Sequence, residues 1–369
     1  IADALKNPQL RELYDSDDQI HELVYTAMML EGMPRNVSIH AAGVVITSEP
    51  LVDYIPLTLN KEGFRTTQFT KDTVESLGLL KMDFLGLRNL TVIESALKII
   101  NETRGINLTL DDIGYNEKEV FDLISSGNTD GVFQMESAGM QSFMNELKPD
   151  TLEDIIAGIA LYRPGPMEQI PRYIHNKKNP QDVTYKHPKL EKILDVTYGC
   201  MVYQEQVLEI VRSLAGYSLG KADQLRRTIS KKKADQMKIE RRNFIYGSED
   251  DSIPGCINSG IDEETAISIF DEINDFANYA FNKSHAAAYA FVTYQTAYLK
   301  TFYPVEYMAA LISTIDEADK INHYIINCKE MGIDRLPPDV NKSRADFTVE
   351  DGKIRFGLSA IKNVGRGFI

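Results

Sequence analysis

Apolar residues at Ile20, Leu23, Val24, Ala27, Met28 and Leu30 recur at helical spacing, after a more polar helical stretch around 9–14. Gly32 supplies a stop and Pro34 prevents continuation. From Ala41 the period shortens. The runs 41–47, 66–69 and 79–84, the last bounded by Gly78 and Gly86, read as strands and predict one small sheet between about 38 and 86. Beyond it helical periodicity returns at 89–101, 117–125, 139–147, 152–161, 203–214, 221–245, 263–281, 286–302 and 305–315. Pro304 sits where a first-turn proline is tolerated. Segment 346–358 alternates like a hairpin, with Asp351-Gly352 at its turn. The fold class is therefore α+β: a small sheet, then a large and mostly helical region.

Length and composition narrow the field. The 369 residues are too many for one ordinary domain, and 43% hydrophobic with 25% charged residues is globular composition. No apolar run is long enough for a membrane helix. Three scattered cysteines, Cys200, Cys256 and Cys328, exclude a disulfide scaffold and a thiolate zinc site. With no leader-like start, a reducing, cytoplasmic setting is expected. The chain opens on Ile1 and stops at Ile369 in a segment that looks unfinished, which reads as a piece of a longer protein. Net charge is −14, yet Lys221–Arg242 holds nine Lys or Arg against three acidic residues. That stretch is +6 and leaves −20 elsewhere, so a polyanion site, if present, is focused.

Four segments carry candidate chemistry. On a strand, Lys81 and Asp83 share one face and Leu80, Met82 and Phe84 the other. Asp83 could give a hard oxygen to Mg²⁺ and Lys81 could neutralise phosphate, although a solvent-facing pair on a half-buried strand has the same pattern. In the basic stretch, Arg227 with Lys231 and Arg226 with Ser230 are i,i+4 neighbours, suited to phosphate or equally to a solvated face. In Phe281–Tyr289, Ser284 could cap a helix whose N-terminus faces an anion beside Lys283 and His285. Leu161–Met167 is a stiff turn displaying Tyr162 and Arg163, and His40 reads as a structural residue before a buried strand. No GxxxxGK[ST], GxGxxG, HExxH or GxSxG motif is present. Metal-assisted phosphoryl chemistry is the reaction class these residues fit best.

At these same positions the chain resembles the catalytic alpha subunit of bacterial DNA polymerase III, the C-family replicative polymerases, in the shorter type without an embedded exonuclease. The strings are HAAGVVI (40–46), LLKMDFLGLRNLT (79–91), GVFQMES with GM (131–140), LYRPGPM (161–167), YGCMVYQEQV (198–207), ADQLRR with ISKKK (222–233), FANYAFNKSHAAAYA (276–290) and LPPDVN (336–341). The resemblance implies residues 1–36 as the end of a helical thumb and 37–86 as the second half of a nucleotidyltransferase-like, polymerase beta-like palm. It implies 87–369 as fingers, with 358–369 beginning a truncated helix-hairpin-helix. Asp83 matches the third catalytic aspartate, which with two aspartates outside this chain would hold two Mg²⁺. Lys81, Arg226 and Arg227 match residues near the triphosphate. Lys231, Arg163, Asn282, Lys283, Ser284 and His285 are further nucleotide- or phosphate-binding candidates. Primer-template DNA and dNTPs are the implied partners, with a sliding clamp and other replisome subunits contacted through regions outside this chain, and no membrane. Asn363 departs from the pattern, since many members have Gly there, and 247–255 reads as an acidic surface insertion. The competing readings are a non-catalytic DNA-binding remnant or paralogue and, less well supported, a metal-dependent nuclease.

Overall fold

The computed structural model describes residues 1, 3–33, 38–60, 62–230, 234–277, 281–315 and 317–369. They form two compact units, Ile1–Gly86 and Leu87–Ile369. The first begins with helices Pro8–Ser16 and Asp18–Leu30. Asn7 and Asp17 start them, each side-chain oxygen accepting from the backbone N–H groups two and three residues on. These are donors that helix geometry leaves unpaired.

Strands β1 (Gly43–Ile46), β2 (Leu57–Leu59), β3 (Arg65–Thr67) and β4 (Leu80–Asp83) follow. They make two antiparallel ribbons, β1 with β4 and β2 with β3, rather than the single sheet expected. A local turn explains the division. Asn60 Oδ1 accepts from the N–H groups of Glu62 and Phe64, closing β2 onto β3, and helix Lys71–Ser76 intervenes before β4 returns to β1. In that return Gly43 lies opposite Asp83 and Val45 opposite Lys81.

The second unit is mostly helical, around helix Lys283–Phe302. Ala286, Ala290 and Ala297 form a small-residue stripe on it, against helix Leu152–Leu161, whose own residues from Asp154 to Leu161 are all buried. A second core joins helices Gln204–Ala215, Leu219–Ser230, Ala234–Tyr246 and Glu263–Ala277. A third joins Arg88–Arg104, Pro304–Ser313 and Ala318–Glu330 to a sheet of β5 (Arg335–Leu336), β6 (Thr348–Glu350) and β7 (Lys353–Arg355), ordered β5-β7-β6. Asp351 and Gly352 have φ of 51° and 72°, the left-handed pair a two-residue hairpin turn requires. Asn363 also holds a positive φ, 69°, which asparagine tolerates better than most residues.

Three differences from the sequence pattern stand out. The stretch 221–245 comprises two helices, with 231–233 outside the described residues. The helix expected to 281 is described over Glu263–Ala277, with 278–280 outside the described residues, and Phe281 bridges in parallel to Tyr203. Helices Ile170–Lys178 and Ala318–Glu330 had no counterpart in the pattern. All three cysteines are buried and free, and burial pushes their thiols up, to about 12 for Cys256.

Candidate functional site

In the first unit the alternation of β4 puts Lys81 and Asp83 side by side, and the Lys81 ammonium pairs directly with Asp83 Oδ1. His40 Nε2 lies 4.0 Å from the same oxygen. The Ala42 amide donates to His40 Nδ1 at 3.2 Å, which orients the ring. The residue read as structural from sequence thus stands at the candidate carboxylate. All three side chains converge over Gly43. A Cβ there would fall 2.9 Å from Lys81 Cε and 3.1 Å from both Asp83 Oδ1 and His40 Cγ, so any larger residue at this point would oblige these side chains to shift. Lys81 is 12% exposed and Asp83 45%, so the carboxylate faces solvent and not the interior. The Lys81 hydrogen bond, with the Lys81 and His40 charges adding, holds the Asp83 carboxyl below its ordinary value.

The apolar face of β4 is a correction. Leu80, Met82 and Phe84 are exposed, as are Val44 and Ile46 on the paired strand, so the better-covered side of the ribbon is the one carrying Lys81. Among the described residues no three His, Cys, Asp or Glu side chains are grouped to hold a metal. Asp83 offers one hard oxygen ligand to Mg²⁺, not a complete site.

In the second unit one carboxylate organises both candidate arginines. Arg226 Nε donates to Asp223 Oδ1 at 2.9 Å and Arg227 Nε to Asp223 Oδ2 at 2.8 Å, the i,i+3 and i,i+4 geometry of a single helix face. Arg226 Nη1 also donates to Gln204 Oε1 at 3.3 Å. The Arg226 hydrogen bond, with a further contribution from Arg227, holds Asp223 below the usual carboxylate range against the opposing effect of burial. Lys231 lies outside the described residues, and so does the spatial relation expected between it and Arg227.

Gln204 leads to the remaining candidates. Its backbone N–H donates to Phe281 O at 2.8 Å. Next to it, Glu205 accepts from Asn282 Nδ2 at 2.9 Å and from the Lys283 backbone N–H at 3.0 Å. Asn282 Oδ1 in turn accepts from the His285 N–H at 2.9 Å, so Asn282 is the N-cap and Ser284 lies exposed in the first turn. This corrects the reading of Ser284 as the cap. The anion at this helix start is the protein's own Glu205. Lys283 Nζ sits 3.0 Å from Glu153 Oε2 and 5.2 Å from the Tyr203 ring centroid.

Arg163 completes the group. Its guanidinium carbon lies 4.0 Å above the Phe281 ring and its Nε donates to Ala160 O at 3.0 Å; burial pulls its pKa down. The His285 ring is 4.2 Å from that of Tyr289 and edge-on to Phe281 at 5.3 Å. Gln134, Tyr162, Arg163, Phe281, His285 and Tyr289 line one cleft of about 500 Å³. Gln134, Gln204, Glu205 and Asp223 lie within the strings that carry the resemblance, but nothing in the sequence marks these four for their roles. They act on other side chains or depend on backbone conformation, which leaves no periodic signal.

Residues 89–252 match the family model described as the bacterial DNA polymerase III alpha subunit finger domain, and 1–86 the one described as the bacterial DNA polymerase III alpha NTPase domain. Residues 332–369 match a helix-hairpin-helix motif. Over 97% of its length the chain is 49% identical to DNA polymerase III subunit alpha of Thermus aquaticus, covering 29% of that protein. It is 47% identical to the Bacillus subtilis subunit over 98% of the chain and 45% to the Borreliella burgdorferi subunit over 99%, covering 32% and 31% of them. The chain therefore spans about three-tenths of the curated relatives it matches.

Proposed function

This chain belongs to the bacterial DNA polymerase III alpha-subunit family, and from that premise we propose that the whole protein is a template-directed DNA polymerase. It joins a dNTP to a primer 3′-hydroxyl with release of pyrophosphate. In this reading 1–36 end the thumb, 37–86 complete the palm and 87–369 are fingers, with 358–369 starting a helix-hairpin-helix. The solvent-facing pairing of Asp83 with Lys81 over Gly43 carries the proposal, because it sets a carboxylate and an ammonium together where a triphosphate and its cation could be met.

Each residue has a share. Asp83 would give one oxygen to Mg²⁺, which when bound lowers the barrier to attack by stabilising charge on the reacting oxygens. Lys81 neutralises phosphate and holds the Asp83 carboxylate in its ionised form. Arg226 and Arg227, aligned by Asp223, present guanidinium forks to the triphosphate. Asn282 and Lys283 fix the helix start through Glu205 and Glu153, and Arg163, Ser284 and His285 lie on the adjoining surface. The helix-hairpin-helix match at 332–369 supports contact with DNA.

Asp83→Asn in the full-length subunit is the test. Primer extension falls to near zero while primer-template binding persists; ordinary turnover in that variant would remove Asp83 from the reaction. The 369-residue chain alone, with one of the three aspartates, is expected not to extend a primer.

A further inference from the structure

Resting on the polymerase reading above, we propose that His40 is a positioning residue for the reaction. Its Nε2–H steadies Asp83 Oδ1 beside Lys81, so that the other carboxylate oxygen, Oδ2, is presented to the cation. The ring's own bonds decide which nitrogen faces the carboxylate. The Ala42 N–H donates to Nδ1 at 3.2 Å, which makes Nδ1 the acceptor and leaves Nε2 as the N–H donor. Nε2 lies 4.0 Å from Asp83 Oδ1. That is roughly 1 Å beyond a direct hydrogen bond, and such contacts are commonly long in the unliganded protein and tighten in the complex.

The ring is also tied to the strand that carries its target. Ala42 O accepts from the Phe84 N–H at 2.8 Å, one residue beyond Asp83, so Ala42 holds β4 through its carbonyl and His40 through its amide. Gly43 then pairs with Asp83 itself, and the space its absent Cβ would take is bounded by Asp83 Oδ1, His40 Cγ and Lys81 Cε. A ring kept for packing would be buried, but this one is 48% exposed, close to the 45% of Asp83. The two donors divide the carboxylate unevenly. Lys81 and His40 both address Oδ1, whereas Oδ2 has no partner among the described residues. One donor fixes a distance, and a second from another direction also limits rotation of the carboxylate, which leaves Oδ2 a single heading.

Two replacements in the full-length subunit separate the turn from the donor. His40→Asn keeps an oxygen able to accept from the N–H two residues on, as Asn7 and Asn60 do elsewhere in the chain, but has no donor at the Nε2 position. His40→Gln gives up that turn and extends a primary amide toward the Nε2 position. For each, kcat and the KM for dNTP are measured in single-nucleotide extension. Primer-template affinity is measured without dNTP, and binding of Mn²⁺ alone is read from the EPR signal of the free ion. His40→Asn should lower kcat and Mn²⁺ affinity each by about tenfold, as loss of a residue that orients a metal ligand implies, with KM and primer-template affinity little changed. His40→Gln should recover most of both losses.

Ordinary kcat in His40→Asn would leave the ring only its bond to Ala42 and overturn the proposal. A His40→Gln no better than His40→Asn would do the same, because the donor would then not matter. A fall in primer-template affinity in step with kcat marks a structural role and also overturns it, as does a loss of kcat with Mn²⁺ binding intact. Asp83→Asn, assayed in parallel, keeps the two readings apart. If it abolishes incorporation while His40→Asn does not lower it, only the role of His40 falls. Ordinary incorporation by Asp83→Asn instead removes the polymerase role of Asp83, and that of His40 with it.

Discussion

Lys300→Met tests whether the loop carrying Gln134 is rigid because one buried ammonium ties it down. Lys300 is 3% exposed, and its Nζ donates to Asn128 O at 3.0 Å and Asp130 O at 2.6 Å. Methionine keeps a long flexible stem and removes both donors. A hydrogen bond from a charged group is worth about 1.5–3 kcal/mol, so two give roughly 3–6 kcal/mol gross. Against this, burying an ammonium costs several kcal/mol, part of which the variant regains. The net expectation is a loss of about 2–3 kcal/mol, concentrated in Thr129–Glu136.

Hydrogen exchange measured on peptides from this segment in the full-length subunit should show protection reduced roughly 30- to 150-fold. The pH dependence has a definite sign. Burial holds the Lys300 pKa below the ordinary lysine value, so the unfolded chain binds that proton more tightly. The residue's contribution to stability therefore rises as pH climbs from the folded pKa to the ordinary one, and Lys300→Met abolishes that rise. Unchanged exchange in the segment, or a loss spread evenly over the whole helical unit, would refute the reasoning.

Arg226→Ala in the full-length subunit should raise the dNTP concentration needed for half-maximal extension by roughly tenfold, with kcat little changed, as loss of one charged contact to a bound phosphate implies. An unchanged KM would mean the arginine pair faces another ligand. Gly43→Ala removes no reactive group, yet its methyl would meet Lys81, Asp83 and His40 at once. Incorporation should fall on the order of tenfold to a hundredfold with primer-template affinity retained, and wild-type kinetics would show that the three side chains have room to adjust.

Local patterns in the sequence transferred well to the structure. The helix expected at 152–161 runs Leu152–Leu161, Pro304 opens its helix, and Asp351-Gly352 makes the hairpin turn. Each of these depends on residues close in sequence. Pairing between distant segments did not transfer: the strands were visible, but nothing in them said that β4 would pair with β1 and leave β2 and β3 as a separate ribbon. Burial of β4 was misjudged because alternation tells which residues share a face, not which face is covered.

For the candidate sites, residue type pointed to Asp83, Lys81 and the two arginines, while the side chains that position them stayed hidden. In the sequence Asp223 is one acidic residue within a basic run, yet in the structure it binds both guanidiniums. Glu205 could not be linked to Asn282 and Lys283 across 77 and 78 positions without coordinates. Gln134 looked ordinary because a strained φ has no mark in composition when the residue is not glycine.

The helix Lys283–Phe302 bears His285 at its start, Thr293 and Thr296 in the middle and Lys300 near its end, and the last three all grip the 128–135 loop. An α-helix turns about 100° per residue, so inserting or deleting a single position between 285 and 300 would rotate one end out of phase with the other. No side-chain choice could then restore both sets of bonds. An insertion or deletion there should therefore be harder to tolerate than almost any single substitution away from Thr293, Thr296 and Lys300.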